Sequence, residues 1–569
     1  MTNRNPFLPL WLAVPAFLGL LLSGGEARAQ SVIQTKVHDL SLLVSPEMPC
    51  TWPQLFPPFQ IKQYWRIGPA SAYNVDILNI DPNTGTQIDV PPHSIPLPDS
   101  KLPNAGKFGV KYSDKVPAWQ YCGEACVVDC QDLLESAPNG RSDLVTKERI
   151  IVWEREHRPL GEGDVVLLRS GYTDAFYKPF PQGRRLTADP LAGKTPAWPD
   201  PDPECMEYLA SRGVMAVGTD SPSMGPIPFL AEPTHIAGLK HGMIFTEGVT
   251  NLAALPATGS FYCVLGSKHV GSAGSEARAL AVTGPPAMLL IDSARKKNVV
   301  DLSVSLSSEL PVTWPGIGVG RYRQPFVKIP FLHNPNVNSA FHIHWMDSHS
   351  GTHLVPPAYA LPANASQGQS HSDEVRGWLA EYERHFGPRG TSSRTTEQVP
   401  VSQSCGRARV IDITHLIGTT NEASWPASPV ISPQEILTYE QQQGVLEAGD
   451  IVVFHSGYND RHFKPFPEGD ACMADPLNGK REGWPAPSAQ AIQLLALRGV
   501  RCVATDGPTL GGVDPKQALM TYWALGSRDM VGVEFLVNVD QVPDGAYFLF
   551  AAIKIKNCHG GPGRALALY

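Results

Sequence analysis

The sequence predicts an α/β fold carried twice, as two tandem domains that pair with each other like the subunits of a dimer. Three observations lead there. GDVVLLRSGYTDAFYKPFPQG, starting at Gly163, returns as GDIVVFHSGYNDRHFKPFPEG, starting at Gly449, 286 residues later. Within each copy a short β-rich apolar run, a helical stretch and a second β-rich run follow one another, the pattern of a strand-helix-strand unit. Finally, 569 residues exceed the size at which one hydrophobic core keeps growing, so two or more domains are expected.

The repetition continues on both sides of that segment. ADPLAGK from Ala188 pairs with ADPLNGK from Ala474, Trp198 with Trp484, and RGVMAVGTDSPSMG from Arg212 with RGVRCVATDGPTLG from Arg498, all at the same spacing of 286. Upstream, DLSLLVSPEMPCTWP from Asp39 pairs with DLSVSLSSELPVTWP from Asp301, at a spacing of 262. The change means insertions, the largest around GPRGTSSRTTEQ (Gly387 to Gln398), which composition makes a polar surface loop. A period this long is a whole domain and not a solenoid repeat. The expected division is residues 1–29 as a signal peptide, 30–290 as the first domain and 291–569 as the second, with the changeover near Pro285 to Lys297.

Taken in order, Arg4 precedes a short apolar run from Pro6 to Leu22, broken by Pro15 and Gly19 and followed by Ala27-Arg28-Ala29, an A-x-A cleavage pattern. The run is too short for a comfortable membrane span, which needs about 20 apolar residues. A chain exported to the periplasm or secreted, soluble and with no membrane contact after cleavage, is the expectation. Ten cysteines then sit in an oxidising compartment. Cys122, Cys126 and Cys130 lack the C-x-x-C pairs of zinc sites; one disulfide near them, or ordinary buried thiols, are the two readings. Val165 to Arg169 and Val214 to Thr219 read as strands and Pro203 to Ser211 as a helix. In the second copy Ser488 is the candidate cap of the matching helix, which ends at Arg498-Gly499. The remaining turn-rich segments read as β-hairpins more than helices.

Apolar residues at 42%, charged residues at 18% and a net charge of -8 without long charged runs describe a globular chain that does not bind nucleic acid. A small-molecule substrate is the expected partner, and a homo-oligomer of the tandem chain stays open.

Chemistry gathers in NTGTQIDVPPH, Asn83 to His93. Gln87 and Asp89 are two apart and share one face of an extended chain, and Pro91-Pro92 turns the chain so that His93 swings back toward them. Gly85 allows a tight backbone approach. A three-ligand metal site is one reading; a turn with a capping Asp and a surface His is the other. Asp220 and Ser221 end a strand, where α/β ligands lie and where caps also occur. Trp52, Trp314, Tyr172 and Tyr458 recur in both copies as pocket or core aromatics. No G-x-S-x-G, H-E-x-x-H, Walker or dinucleotide pattern is present in the sequence.

NTGTQIDVPPH resembles the signature H-x-G-T-H-x-D-x-P-x-H of the metal-dependent cyclase or kynurenine formamidase-like hydrolases, which include isatin hydrolase and the trans-dienelactone hydrolases. HSGTHLVPPAY, His349 to Tyr359, matches its front half. DLS…TWP, RSGY, TDSPS and THIAGLKHGMIFTEGVTNL follow in the family's order. The resemblance spans nearly the whole mature chain, twice, and implies two cyclase-like (swivelling β/β/α) domains forming a pseudo-dimer. It places the first metal-binding His on Asn83, the second on Gln87, the Asp on Asp89, the general base on His93 and the late His and Glu on His235 and Glu247. Gln87, Asp89, His235 and Glu247 are thereby metal ligands and His93 the catalytic base. Asn83 is the departure that bears on a second ion. The cofactor implied is a divalent metal, Mn²⁺ or Zn²⁺, with the oxygen-rich shell leaning toward Mn²⁺.

In the second copy His349, His353 and Glu534 survive, but Val355 stands at the Asp position, Tyr359 at the base and Tyr522 at the late His. Val cannot bind a metal, so this copy reads as a degenerate, non-catalytic partner; a weak His349, His353, Glu534 site is the alternative. The function expected is an exported metal-dependent hydrolase that opens an amide, cyclic amide or lactone with metal-activated water. The competing readings are a periplasmic small-molecule or metal-binding protein without catalysis and an assembly scaffold. The C-terminal half is expected to supply a wall of the N-terminal site.

Overall fold

Seven strands close into a ring in the first copy: Gly274–Thr283, Ser260–Gly266, Cys122–Asp129, Asp164–Arg169, Ala216–Thr219, Ile244–Glu247 and Gln87–Asp89, the last pairing back onto the first. The structure is a computed structural model that describes residues 35–53, 56–315, 326–337, 339–368 and 370–569. The leader read in residues 1–29 lies outside them. Four of the strands, from Cys122–Asp129 round to Ile244–Glu247, run parallel. The connections between them carry the helices Lys147–Glu156, Pro203–Ser211 and Ala231–Leu239. Helices cover these strands, so Asp164–Arg169 is buried over nearly its whole length and reads as a continuous apolar run without alternation.

The second copy repeats the ring with Gly561–Leu568, Tyr547–Ala552, Cys405–Asp412, Ile451–His455, Cys502–Thr505, Val531–Glu534 and His353–Val355. The helix predicted over Pro203 to Ser211 has those bounds; the Asp202 side chain accepts from the Cys205 N–H at 2.7 Å and Pro203 opens the first turn. Ser488 caps Ala489–Leu497 as expected, accepting from the Ala491 N–H.

A shared core holds the copies together. Gln60–Trp65 and Val75–Ile80 of the first copy join Ser339–Asp347 and Phe326–Asn334 of the second in one four-stranded sheet, with Ile80 opposite His344 at its centre. Phe261, Leu265 and Leu280 pack in the same cluster as Leu549, Leu566 and Leu568. Arg278 is clamped by Asp39 at 2.9 Å and donates across the boundary to the Ala552 carbonyl at 3.1 Å. Arg564, 286 residues later, bonds Asp301 at 2.7 Å and lies 4.2 Å from the Tyr121 ring of the first copy.

Two expectations need correction, and of the two readings of the cysteines the buried thiols hold. Several segments read as hairpins are helices, among them Ala231–Leu239, Asp373–Phe386 and Pro515–Ser527. The stretch Gly387 to Gln398 is not all surface: Arg389, Thr395 and Thr396 are buried, and the Thr396 N–H donates to the Cys558 carbonyl. All ten cysteines are free and buried. Cys122 and Cys126 share a strand, where four residues span about 13 Å, beyond the reach of a disulfide. Among the described residues no helix is long and apolar enough to cross a membrane.

Candidate active site

The strand Gln87–Asp89 puts Gln87 and Asp89 on one face, and a 3-10 turn over Pro91–His93 returns His93 to them. Gly85 sits at φ +69°, and a Cβ there would meet Val44 at 2.8 Å, which is why a glycine opens this strand. The neighbouring strand Ile244–Glu247 pairs Glu247 with Gln87, and the helix Ala231–Leu239 lowers His235 over both. The result brings together every residue singled out for the first copy. His235 Nε2 lies 3.4 Å from Glu247 Oε1 and 3.6 Å from Asp89 Oδ2; His93 Nδ1 lies 3.4 Å from Asp89 Oδ1. Gln87 Nε2 donates to Glu247 Oε2 at 2.7 Å.

The electrostatics ask for a cation. His235 Nδ1 faces the Ala231 carbonyl at 2.8 Å. A carbonyl only accepts, so Nδ1 carries a proton and Nε2 is the nitrogen that faces the two carboxylates. Both oxygens of Asp89, only 1% exposed, lack a hydrogen-bond partner, and so does the buried Oδ1 of Asn83. Uncompensated, such a carboxylate is costly to bury. Burial disfavours a charged His235, yet Asp89 and Glu247 outweigh it and raise the imidazole well above its usual range; burial and Asp89 raise Glu247. Burial, then the nearby His235, hold His93 down at about 4, so it is neutral near pH 7. Asp89, His93 and His235 offer ligand atoms all within 4.8 Å of one another. These residues fit a divalent ion, and Asn83, a departure in sequence, faces the group with an oxygen of its own.

The cavity in front measures about 200 Å³ and is walled by Trp52, Phe56, Leu186 and, from the second copy, Phe341. Phe341 packs edge-on against His93 with ring centres 5.8 Å apart. The expected wall from the C-terminal half is therefore present. Nothing in the sequence marks Phe341, because the strand that carries it reaches the site through the sheet shared by both copies. Phe341→Ala is expected to raise KM by about tenfold, ~1.4 kcal/mol of lost contact, with kcat little changed. Gly274 backs the site from the facing strand; a Cβ there would stand 3.3 Å from Asn83 Oδ1 and 3.4 Å from Asp89 Oδ1. Gly274→Ala is expected to weaken metal binding in a calorimetric titration while the fold persists.

The other sequence candidates divide. Asp220 accepts from the Ser170 N–H and hydroxyl and the Gly171 N–H, so it anchors a turn. Trp52 and Trp314 line pockets, whereas Tyr172 and Tyr458 are core.

In the second copy, Glu534 is already satisfied. Tyr522 Oη donates to its Oε1 at 2.6 Å, the Leu510 N–H donates to the same oxygen at 2.7 Å, and His353 Nε2 sits 3.1 Å from Oε2. His349 turns Nδ1 toward Asp347 at 3.3 Å. The Tyr359 and Tyr522 rings, 5.1 Å apart, take the space of the base and the late His. Its cavity of about 180 Å³ is roofed by Trp65 and Tyr73 of the first copy.

A family model described as "Putative cyclase" matches residues 38–226 and again 300–511. The isatin hydrolase of Roseibium aggregatum is 28% identical over 230 residues, 39% of this chain and 79% of that protein. The kynurenine formamidase of Erythrobacter litoralis is 27% identical over 217 residues, 38% of this chain and 80% of that protein. Among solved structures, isatin hydrolase A from Labrenzia aggregata bound to benzyl benzoate is 24% identical, with 44% of this chain and 94% of that one covered and a TM-score of 0.37.

Proposed function

The chain belongs to the Cyclase family in both of its copies, and on that premise we propose that its N-terminal copy opens an amide, cyclic amide or lactone while the C-terminal copy walls and supports it. The chain is an enzyme, a metal-dependent hydrolase of this family. The observation that carries the assignment to the first copy is Asp89, buried with two unpartnered oxygens, where the second copy has the apolar Val355.

Asp89, His235 and Glu247 would hold the ion, with Gln87 and Asn83 completing or orienting the shell. A bound divalent ion supplies Lewis acidity, polarising a carbonyl and lowering the pKa of water. His93, neutral and held beside Asp89, accepts a proton from the attacking water and returns it to the leaving nitrogen or oxygen. Gln87 fixes Glu247 through one oxygen. Phe341, Phe56 and Trp52 exclude water and hold the apolar body of the substrate. A site of about 200 Å³ suits a substrate of one substituted ring, since a cavity of about 150 Å³ admits benzene. The oxygen-rich shell favours Mn²⁺ over Zn²⁺.

The test is turnover by the full chain on formamides, cyclic imides and lactones with added Mn²⁺ or Zn²⁺. Turnover that chelation removes and the ion restores is expected; binding without turnover across the panel would favour a non-catalytic binding protein. Export belongs to the same reading, and N-terminal sequencing of the mature protein is expected to begin at Gln30.

A further inference from the structure

A second cluster of metal-ligating side chains lies where the two copies meet; its residues line neither pocket, although Glu276 stands opposite Gln87 in the strand register. His269 and Glu276 come from the first copy and His344 from the second, and their ligand atoms lie within 4.8 Å of one another. All three are sealed: His269 and His344 are 1% exposed and Glu276 is 0% exposed. His269 Nε2 donates to Glu276 Oε1 at 2.8 Å. That leaves His269 Nδ1, Glu276 Oε2 and His344 Nδ1, three buried polar atoms from three different residues, with no hydrogen-bond partner. Orphaned buried atoms are rare, and three in one cluster are costly unless something charged joins them.

The internal duplication supplies an independent comparison. Asp81 corresponds to Asp347 and Lys268 to Lys554. By the same spacings His344 corresponds to Leu78, His269 to Ile555 and Glu276 to Pro562. Leu78 and Ile555 are both fully buried and pack in one apolar cluster. The backbone agrees, since Val44 bridges Ile555 just as Leu306 bridges His269. One of two equivalent junctions is therefore plain hydrophobic core, while the other has three ligand-type residues at the three corresponding positions.

We propose that His269, Glu276 and His344 bind a divalent transition ion, Zn²⁺ by ligand type, that ties the first copy to the second. Two imidazoles and a carboxylate suit zinc. The burial shuts substrate out and makes the site structural. The two rings now stack in parallel at 3.8 Å, so binding requires one ring to turn about its Cβ–Cγ bond and aim its lone pair at the ion.

The test uses the full chain with the first pocket disabled, Asp89→Ala/His235→Ala, purified without chelator from zinc-supplemented medium. Elemental analysis is expected to find about one zinc per chain. Adding His344→Leu, which installs the residue of the equivalent junction, is expected to abolish it, with circular dichroism confirming the fold. His269→Gln, which keeps a hydrogen bond to Glu276, serves as the second variant. Zinc withdrawal should lower the melting temperature of the disabled-pocket chain and leave the His344→Leu chain unmoved. No zinc in the disabled-pocket chain, or zinc retained in both further variants, overturns the proposal in favour of a buried His269–Glu276 ion pair alone. Because the first pocket is disabled throughout, neither outcome depends on the function proposed above.

Discussion

Asp89→Ala is expected to abolish turnover, whereas His93→Ala lowers kcat by about 10²- to 10⁴-fold, the usual worth of a positioned general base. The two changes act on different parts of one apparatus. Asp89 lies 3.6 Å from His235 on one side and 3.4 Å from His93 on the other, with neither oxygen hydrogen-bonded. Losing it removes the negative charge that holds the ion and the group that orients the base. His93 makes no bond on which the strand depends, and its ring packs between His235 and Phe341. Its loss removes the proton acceptor and little else. Circular dichroism should be the same for wild type and both variants, because Asp89 and His93 sit at a cavity wall. Full turnover in both variants would end the assignment.

Cutting the chain after residue 290 is expected to yield an N-terminal fragment that is insoluble or inactive. The four-stranded sheet would lose half its strands, and Val75–Ile80 would expose a long edge. Phe261, Leu265 and Leu280 would lose Leu549, Leu566 and Leu568 as neighbours. A buried Leu or Phe contributes about 1.5–3 kcal/mol, so exposing these three costs about 5–9 kcal/mol, within the range of the whole stability of an ordinary domain. Arg278 would lose the Ala552 carbonyl, and the active-site cavity would lose Phe341. A soluble, folded fragment of residues 31–290 with full activity would refute this account of the junction.

How much of this was legible depended on whether the determining contacts were local. The helix Pro203–Ser211 could be read because its cap, its N-terminal proline and the strand that follows it lie within twenty residues. Asp89 and His93 were legible because strand alternation and a double proline fix their directions over seven residues. Ala231–Leu239 was missed for a physical reason. It is buried on several sides, so no 3.6-residue contrast marks it, although it carries His235. Pro285–Arg295 opens on two prolines that mark a boundary in sequence and the first turn of a helix in the fold. Phe341, Arg389 and the cluster at His269 depend on residues far away in the chain, which no local pattern encodes. Even so, a comparison of His344 with Leu78 within the duplication held the clue.

The central claim is that the metal chemistry belongs to the N-terminal pocket. The most direct measurement is ion content per chain, by elemental analysis of full-length protein purified without chelator, for wild type, Asp89→Ala and His353→Ala. The account predicts that Asp89→Ala carries at least one ion fewer than wild type and that His353→Ala matches wild type. Equal counts in wild type and Asp89→Ala, or a loss confined to His353→Ala, would contradict it.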